Sequence, residues 1–228
     1  MITKEMLRTL CPGAKEHIIE GVAKYFNQYA SDYGITTPLR IAHFFAQAAH
    51  ESASFMTLEE YASGAAYEGR RDLGNIHKGD GRRFKGRGIF QLTGRANYTK
   101  FGSILGLDLV GNPELAEHPE TSVRTALEYW KSRNININAD KDDIVGATKK
   151  INGGRNGLQD RKNYLRKAKE IYDILQVQKK LVELEYDIVA DGRIGRRTTQ
   201  AIEDFQSKNS LKPDGVAGPK TRAVLFAK

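Results

Sequence analysis

The sequence predicts a mainly α-helical chain in two parts. Residues 1–175 form a large helical domain interrupted by an irregular glycine-rich lobe, and residues 176–228 form a smaller second unit. Three observations carry this expectation. Apolar residues recur at spacings of three and four along much of the chain. Between residues 63 and 88, glycines 64, 69, 74, 79, 81, 86 and 88 are set among Arg70, Arg71, Lys78, Arg82, Arg83, Lys85 and Arg87. Near the C-terminus the pattern DGxxGxxT occurs twice, as DGRIGRRT at 191–198 and DGVAGPKT at 214–221, offset by 23 residues.

Residues 3–30 place Ile18, Ile19, Val22, Tyr25 and Phe26 on one helical face. In TTPLRIAHFFAQAAHES, Thr36 or Thr37 supplies the cap and Pro38 the first helical position. The glycine-rich basic stretch is too long for an ordinary connection in a compact domain and reads as a functional surface. Helical patterns resume near 94–105, 119–133, 142–151 and 158–180. In the second unit, QAIEDFQSKNSL predicts a helix between the two DGxxG turns. Each turn needs glycine's backbone freedom, and each threonine is placed to cap the helix that follows.

Bulk properties narrow the classes of function. With 39% hydrophobic and 28% charged residues, the composition is that of an ordinary globular protein. No run of about 18 apolar residues exists, so no membrane-spanning helix is expected. Lys4, Glu5 and Arg8 interrupt the N-terminus where a secretory signal would be apolar, which predicts synthesis without an export signal. The lone Cys11 excludes an intramolecular disulfide framework and a four-cysteine metal site, and it reads as a partly buried residue near a helix start. The net charge of +8 divides into +3 for residues 176–228 (10 basic, 7 acidic) and +5 for the remainder (26 basic, 21 acidic). Both parts therefore favour an anionic partner such as nucleic acid, a membrane surface or a cell wall. The basic residues lack the aromatic interleaving of single-strand binders, which disfavours nucleic acid.

His50-Glu51 stands inside an apolar stretch, AHFFAQAAHESASF, and burying a carboxylate is costly unless it is paired, neutralised or used. A zinc-protease HExxH would need histidine where Ser54 stands, and no carboxylate completes a metal set around His43, His50 or His77. No metal or cofactor is expected. A partly buried carboxylate is, however, what a general acid requires, since burial favours the protonated form. Glycoside hydrolysis adds a second carboxylate across the scissile bond, and MTLEEY supplies Glu59 and Glu60. A helix continued from Glu51 to Glu60 would separate them by about 13 Å. The chain is therefore expected to leave the helix near Phe55, in SASFMT, and turn back across a cleft. Downstream, FKGRGIFQLTGRANY gathers Gln91, Thr93 and Asn97, neutral groups suited to sugar hydroxyls. Its GRG lacks phosphate-loop spacing, and capping of the next helix is the plain alternative for Thr93.

HES, EE with seven residues between Glu51 and Glu59, KGRGIFQLTGRANY, INGG at 151–154 and DRKNYLRK at 160–167 together resemble family 19 glycoside hydrolases, which include plant-type chitinases and phage-type endolysins. EEYASGAAYEGRRDLGN and GDGRRFKGRG resemble the bacterial and phage branch, and the likeness spans residues 36–170. Residues 178–225, with AxxxFQ and the paired DGxxGxxT turns, resemble the small three-helix peptidoglycan-binding module of cell-wall hydrolases.

These resemblances imply a mainly α, lysozyme-like domain followed by a three-helix module. Carried over residue by residue, Glu51 is the implied general acid, Glu60 the implied general base, and Thr93 a holder of the attacking water. Gln91 and Asn97 would bond substrate beside it, Asn152 would contact substrate from the opposite wall, and Arg161 would bind or orient a carboxylate. The segment between the glutamates is much shorter than in plant chitinases, and the plant cysteines are absent, which leaves Glu59 and Glu68 open as alternative bases. The implied protein is a monomeric phage or prophage endolysin, an inverting N-acetylmuramidase with carboxyls about 6.5–9.5 Å apart. It would be held in the host cytoplasm, released by a separate pore-forming protein and active on periplasmic peptidoglycan, without nucleic acid or stable membrane insertion. A chitinase and an inactive wall-binding protein are the alternatives.

Overall fold

The computed structural model describes residues 2–227, and two helices stand where the spacing predicts one over 3–30. Thr3 caps α1 (Lys4–Leu10), its hydroxyl accepting from Met6 N at 3.2 Å. Pro12 removes a backbone donor and holds Cys11 in a non-helical conformation, so the chain turns before α2 (Glu16–Tyr29). Cys11 is thus buried at a helix end, not near a helix start.

Thr37 is the cap of α3 (Pro38–Glu51), accepting from Arg40 N at 3.2 Å. From Ala42 to Ala49 every residue of α3 is buried, as befits a helix enclosed on all sides. Phe44 meets the rings of Phe26, Phe45, Phe90 and Trp130 at centroid separations of 5.1–5.4 Å. This aromatic packing fixes α3 as the scaffold of the site.

The helix ends at Glu51, four residues before Phe55 and at the edge of the expected SASFMT exit. Ala53, Ser54 and Phe55 then take φ of 49°, 63° and 58°, a left-handed run that side chains with a Cβ resist. It is held by Ser54 N to Ala49 O at 2.7 Å, Phe55 N to Ser52 Oγ at 3.0 Å and complete burial of the Phe55 ring. Backbone strain sustained by tertiary contacts therefore stops the helix, more than weak helix propensity.

The glycine-rich lobe is organised by two acids. Glu68 accepts from Gly79 N (2.7 Å) and Gly81 N (2.9 Å), which holds its carboxyl below the usual range. Asp80 opens the single turn α4 (Asp80–Arg83); it accepts from Ile76 N and His77 N and pairs with Arg95 at 2.6 Å. The Arg95 guanidinium holds the buried Asp80 at a pKa of about 2. Phe84 then packs with Tyr98 and Phe101 of α5 (Arg95–Leu105) in a second small core with Leu92, Leu109 and Ala116. α6 (Pro119–Ser132), α7 (Asn136–Asp140) and α8 (Ile144–Asn152) complete this part, and Trp130 of α6 donates to Asn136 of α7 at 2.7 Å.

The chain divides into two compact units at residues 166/167, inside the single helix α9 (Leu158–Glu183). The sequence-based boundary at 175/176 falls in the same helix, where no linker composition exists to mark it. In the second unit, α10 (Arg196–Lys208) and α11 (Pro219–Phe226) share a core with α9 built on Val177, Leu181, Ala201, Ile202, Phe205 and Leu225. Thr198 and Thr221 are not caps: Gly195 and Gly218 hold those positions without side-chain bonds. Each threonine instead receives a hydrogen bond from a buried glutamine, Gln178 or Gln206.

Candidate active site

The last turn of α3 presents Gln47 and Glu51 four residues apart, hence on one face. Both meet Arg161, in the first turns of α9. Its Nη2 donates to Glu51 Oε1 at 2.5 Å and its Nη1 donates to Gln47 Oε1, while Gln47 Nε2 donates to Thr148 Oγ1 at 3.2 Å. The Arg161 side chain is 1% exposed and that of Glu51 18% exposed, so the guanidinium is enclosed while the glutamate side chain keeps some contact with solvent. His50 adds a second tie, with Nδ1 2.6 Å from Asp160 Oδ2. Gly157 lies so close beneath the His50 ring that a Cβ there would come within 2.1 Å of it. The end of α3 is thus clamped to the start of α9 from both sides of Glu51.

Tyr129 of α6 stands near this carboxylate. Burial pushes its phenol pKa up, Arg133 opposes the rise, and the Glu51 charge adds to it. Its hydroxyl donates to Ile151 O at 2.7 Å.

Glu60 is positioned by backbone pairing in the irregular lobe. Glu60 N donates to Gly86 O (2.8 Å) and Gly88 N to Leu58 O (2.7 Å), which aligns 58–60 with 86–88. Gly86 N in turn donates to Glu60 Oε2 at 3.0 Å, and Tyr67 OH donates to Oε1 at 2.8 Å. Burial and the Glu60 contact raise the Tyr67 pKa, so the phenol stays a donor. Arg87 and Leu92 exchange backbone bonds of 3.1 and 2.7 Å and close a four-residue turn. Gln91 sits in that turn at φ 50°. Its Oε1 and Glu60 Oε2 converge on Gly86, where an added Cβ would lie 2.6 and 3.2 Å from them. A Cβ there would push the end of the Gln91 or Glu60 side chain aside.

Thr93 follows the turn. Its hydroxyl donates to Gln91 O at 2.8 Å, and Gly94, not Thr93, is the N-cap of α5. The Thr93 lone pairs are consequently left to accept from another donor. Asn97 donates to Thr93 O at 2.7 Å. The turn is tied to α6 through Ile89 N to Ser122 Oγ (2.8 Å) and through Phe90 against Tyr129, 6.1 Å between centroids. The Phe90–Tyr129 contact links the Gln91–Thr93 group to the surroundings of Glu51.

The three acidic candidates for the second carboxylate differ in their partners. Glu59 is salt-bridged to Lys85 (2.8 Å) and Arg87 (3.5 Å). Glu68 has both oxygens on backbone amides. Glu60 carries neutral donors, and among the described residues no cation forms a salt bridge with it. Asn152 is tied into its own loop, its side-chain oxygen accepting from Gly154 N (2.9 Å) and its amide nitrogen donating to Asn156 O (2.8 Å), next to Ile151, whose carbonyl accepts from Tyr129.

The sequence reading missed Gln47, Tyr67 and Tyr129. Gln47 had a signal, being a polar residue one turn before Glu51 in a run of alanine and phenylalanine. Tyr67 and Tyr129 had none, because irregular backbone and tertiary packing bring them in.

Comparison with known proteins agrees with this architecture. Residues 15–156 match the family model described as "Chitinase class I", and residues 172–225 match the model described as "Putative peptidoglycan binding domain". A Haemophilus influenzae protein described as "Glycosyl hydrolase family 19 domain-containing protein" is 28% identical over 64% of this chain and 86% of its own length. An Arabidopsis thaliana endochitinase is 35% identical over 62% of this chain and 50% of its own length; acidic endochitinase Q of Nicotiana tabacum is 34% identical over 46% and 40%. The chain thus spans half or less of these plant relatives. Among solved structures, chitinase C of Streptomyces griseus shares the fold at a TM-score of 0.60 and 22% identity, covering 73% of this chain and 74% of that one. A class IV chitinase of Zea mays does so at a TM-score of 0.52 and 24% identity, covering 65% and 77%.

Proposed function

The chain belongs to the class I chitinase family, family 19 of the glycoside hydrolases, and carries a peptidoglycan-binding domain behind the catalytic one; from that premise we propose that it is an endolysin cutting the glycan strands of bacterial peptidoglycan as an N-acetylmuramidase. The observation that carries the substrate is the pairing of the two domains in one chain. A hydrolase tethered to a second site on an insoluble polymer gains effective concentration on that polymer.

The chemistry follows from the two differently held carboxylates. Arg161 fixes Glu51 by Oε1, which leaves Oε2 to carry a proton to the glycosidic oxygen as the bond breaks. Glu60, held by neutral donors, takes the proton of a water that attacks the anomeric carbon from the other face. Thr93, whose hydroxyl proton is committed to Gln91 O, accepts the second proton of that water in a hydrogen bond. A water between base and sugar inverts the anomeric centre, which goes with the wider carboxylate separation of about 6.5–9.5 Å. Gln91 and Asn97 border the water position. In this reading the enzyme is made in a phage-infected host, waits in the cytoplasm as a monomer and reaches the wall through a pore formed by another protein.

Digestion of purified peptidoglycan, with mass analysis of the new reducing ends, tests the proposal. Muramic acid at those ends supports it, and glucosamine ends overturn the bond assignment. Cleavage of chitin oligomers without cleavage of peptidoglycan would favour the chitinase reading, which the family model and the plant relatives support. Absence of cleavage on both would leave a wall-binding protein.

A further inference from the structure

The second unit contains the same hydrogen-bond network twice. Gln178 Nε2 donates to Asp191 Oδ1, Arg193 O and Thr198 Oγ1, and its Oε1 accepts from Gly192 N. Gln206 does the same with Asp214 Oδ1, Val216 O, Thr221 Oγ1 and Gly215 N. The residues that make the repeat recognisable in the sequence are therefore spent on one another. They build the turns and offer a ligand little, so recognition falls to the positions that differ between the copies.

Beside the second turn lies a cavity of about 390 Å³, lined among others by Leu211, Lys212, Val216, Pro219 and Lys220. A further hollow of about 240 Å³, with Ile174 and Ile194 in its wall, lies on the other side of Val216. Val216 itself is 63% exposed and belongs to both. Among the described residues neither the Lys212 nor the Lys220 ammonium forms a hydrogen bond or salt bridge, although the Lys212 carbonyl accepts from Asp214 N at 3.0 Å. The acid in this lining, Asp214, is occupied by Gln206 and by Val216 N. The cavity thus presents a small apolar floor beside two lysines and one acid, Asp214, whose charge Lys212 feels, leaving a net positive lining. Among the described residues no aromatic side chain lines either hollow, so they offer no flat apolar platform on which a sugar ring stacks.

We propose that this cavity is where the C-terminal domain takes hold of the wall, and that it binds the peptide stem of peptidoglycan through a free carboxylate, not the glycan strand. The inference rests on the reading that this domain binds peptidoglycan. Stem peptides are short and combine alanine methyl groups with free carboxylates, which match the floor and the two lysines in turn. At roughly 30 Å³ per water the larger hollow has the room of about a dozen waters, enough for a few small residues. The division of labour is then complete: the catalytic domain reads sugars and the second unit reads peptide.

The test uses the full-length chain, the double variant Lys212→Glu/Lys220→Glu, and the charge-matched double variant Arg196→Glu/Arg197→Glu on the exposed rim of the first turn. Binding of a synthetic stem tetrapeptide (L-alanine, D-glutamate, diaminopimelate, D-alanine) is measured by calorimetry. Retention on intact sacculi is compared with retention on sacculi stripped of stems by an amidase. The expected result is tetrapeptide binding that weakens roughly tenfold or more in the lysine variant and stays within about twofold in the arginine variant, with retention lost on stripped sacculi. Equal retention on stripped and intact sacculi overturns the proposal in favour of the glycan. Equal losses in the two variants overturn it in favour of net charge. Retention on intact sacculi without tetrapeptide binding overturns this site alone, whereas no retention on intact sacculi overturns the wall-binding reading with it.

Discussion

Replacing Arg161 separates positioning from chemistry at the Glu51 site. In Arg161→Met the enclosed Gln47 oxygen loses its donor and Glu51 loses its cation, since one guanidinium serves both. Breaking a buried ion pair costs about 3–5 kcal/mol; because Glu51 is 18% exposed and water replaces part of the loss, the lower end, about 3 kcal/mol, is expected. For a domain of this size that lowers Tm by roughly 6–12 °C. Arg161→Lys keeps the charge but gives up the planar fork, so one ammonium cannot reach both Gln47 and Glu51 in the same geometry. This variant should fold, lose about half as much stability, and turn over about 100-fold more slowly through a misplacement of Glu51 near 1 Å. KM should change by no more than about threefold, because Arg161 acts through Glu51 and does not hold substrate. Scanning calorimetry and steady-state hydrolysis of a soluble chitin or peptidoglycan oligomer measure both effects. Wild-type turnover in Arg161→Lys, or a loss confined to KM, would refute the reasoning.

Glu60→Gln should reduce turnover by about 10²–10⁴-fold as loss of a general base, and Glu51→Gln should abolish it with folding intact; Glu59→Gln should change it by only a few fold, and the reverse ranking would hand the base role to Glu59. For Asp80 the folded pKa, about 2, lies below the ordinary 3.8, so its stabilising contribution is present above about pH 4 and is lost as pH falls through 2. Thermal unfolding between pH 5 and 2 should show a decline that Asp80→Asn removes; an unchanged slope would discount the Asp80–Arg95 pair. With a charge of +8, retention on sacculi should fall as salt rises toward about 0.15 M, where the Debye length is about 8 Å, and a flat profile would discard the electrostatic contribution.

What the sequence disclosed and what it concealed divide along physical lines. Regular periodicity and caps were legible: Thr37-Pro38 marks the start of α3, and the apolar run to Ala49 marks its enclosed course. The pairing of Arg161 with a carboxylate was implied by motif alone, and the structure brings those two side chains together. The chain leaves α3 within the expected SASFMT run, but at its first residue, Ser52, because the end depends on Ser52, Phe55 and the chain entering α2, contacts that no local window contains. Glycine density in residues 63–88 suggested a functional surface in an irregular lobe. In fact Glu68 and Asp80 gather that backbone into tight turns, with acids accepting from amides well apart in sequence. Likewise DGxxGxxT suggested caps, but the partner of each threonine is a glutamine more than ten residues upstream.

The two carboxylates are held in ways that suit opposite tasks. Glu51 belongs to a helix enclosed by aromatic rings and is gripped by an arginine that is itself enclosed, so its place is set by closely packed structure. Glu60 belongs to a lobe with almost no regular structure and is set by a glycine amide, a tyrosine hydroxyl and a turn strained at Gln91. A proton donor must meet one fixed atom, the glycosidic oxygen, and rigidity serves it. A base that works through water must let that water enter and leave, and a lobe of short turns permits small displacements that packed helices resist. Substitutions that loosen the lobe without touching Glu60, such as Glu68→Gln, are therefore expected to slow turnover modestly and to lower the stability of the lobe. Amide exchange at Gly79 and Gly81 would register the loosening directly, and unchanged protection there would show that Glu68 does not organise the lobe.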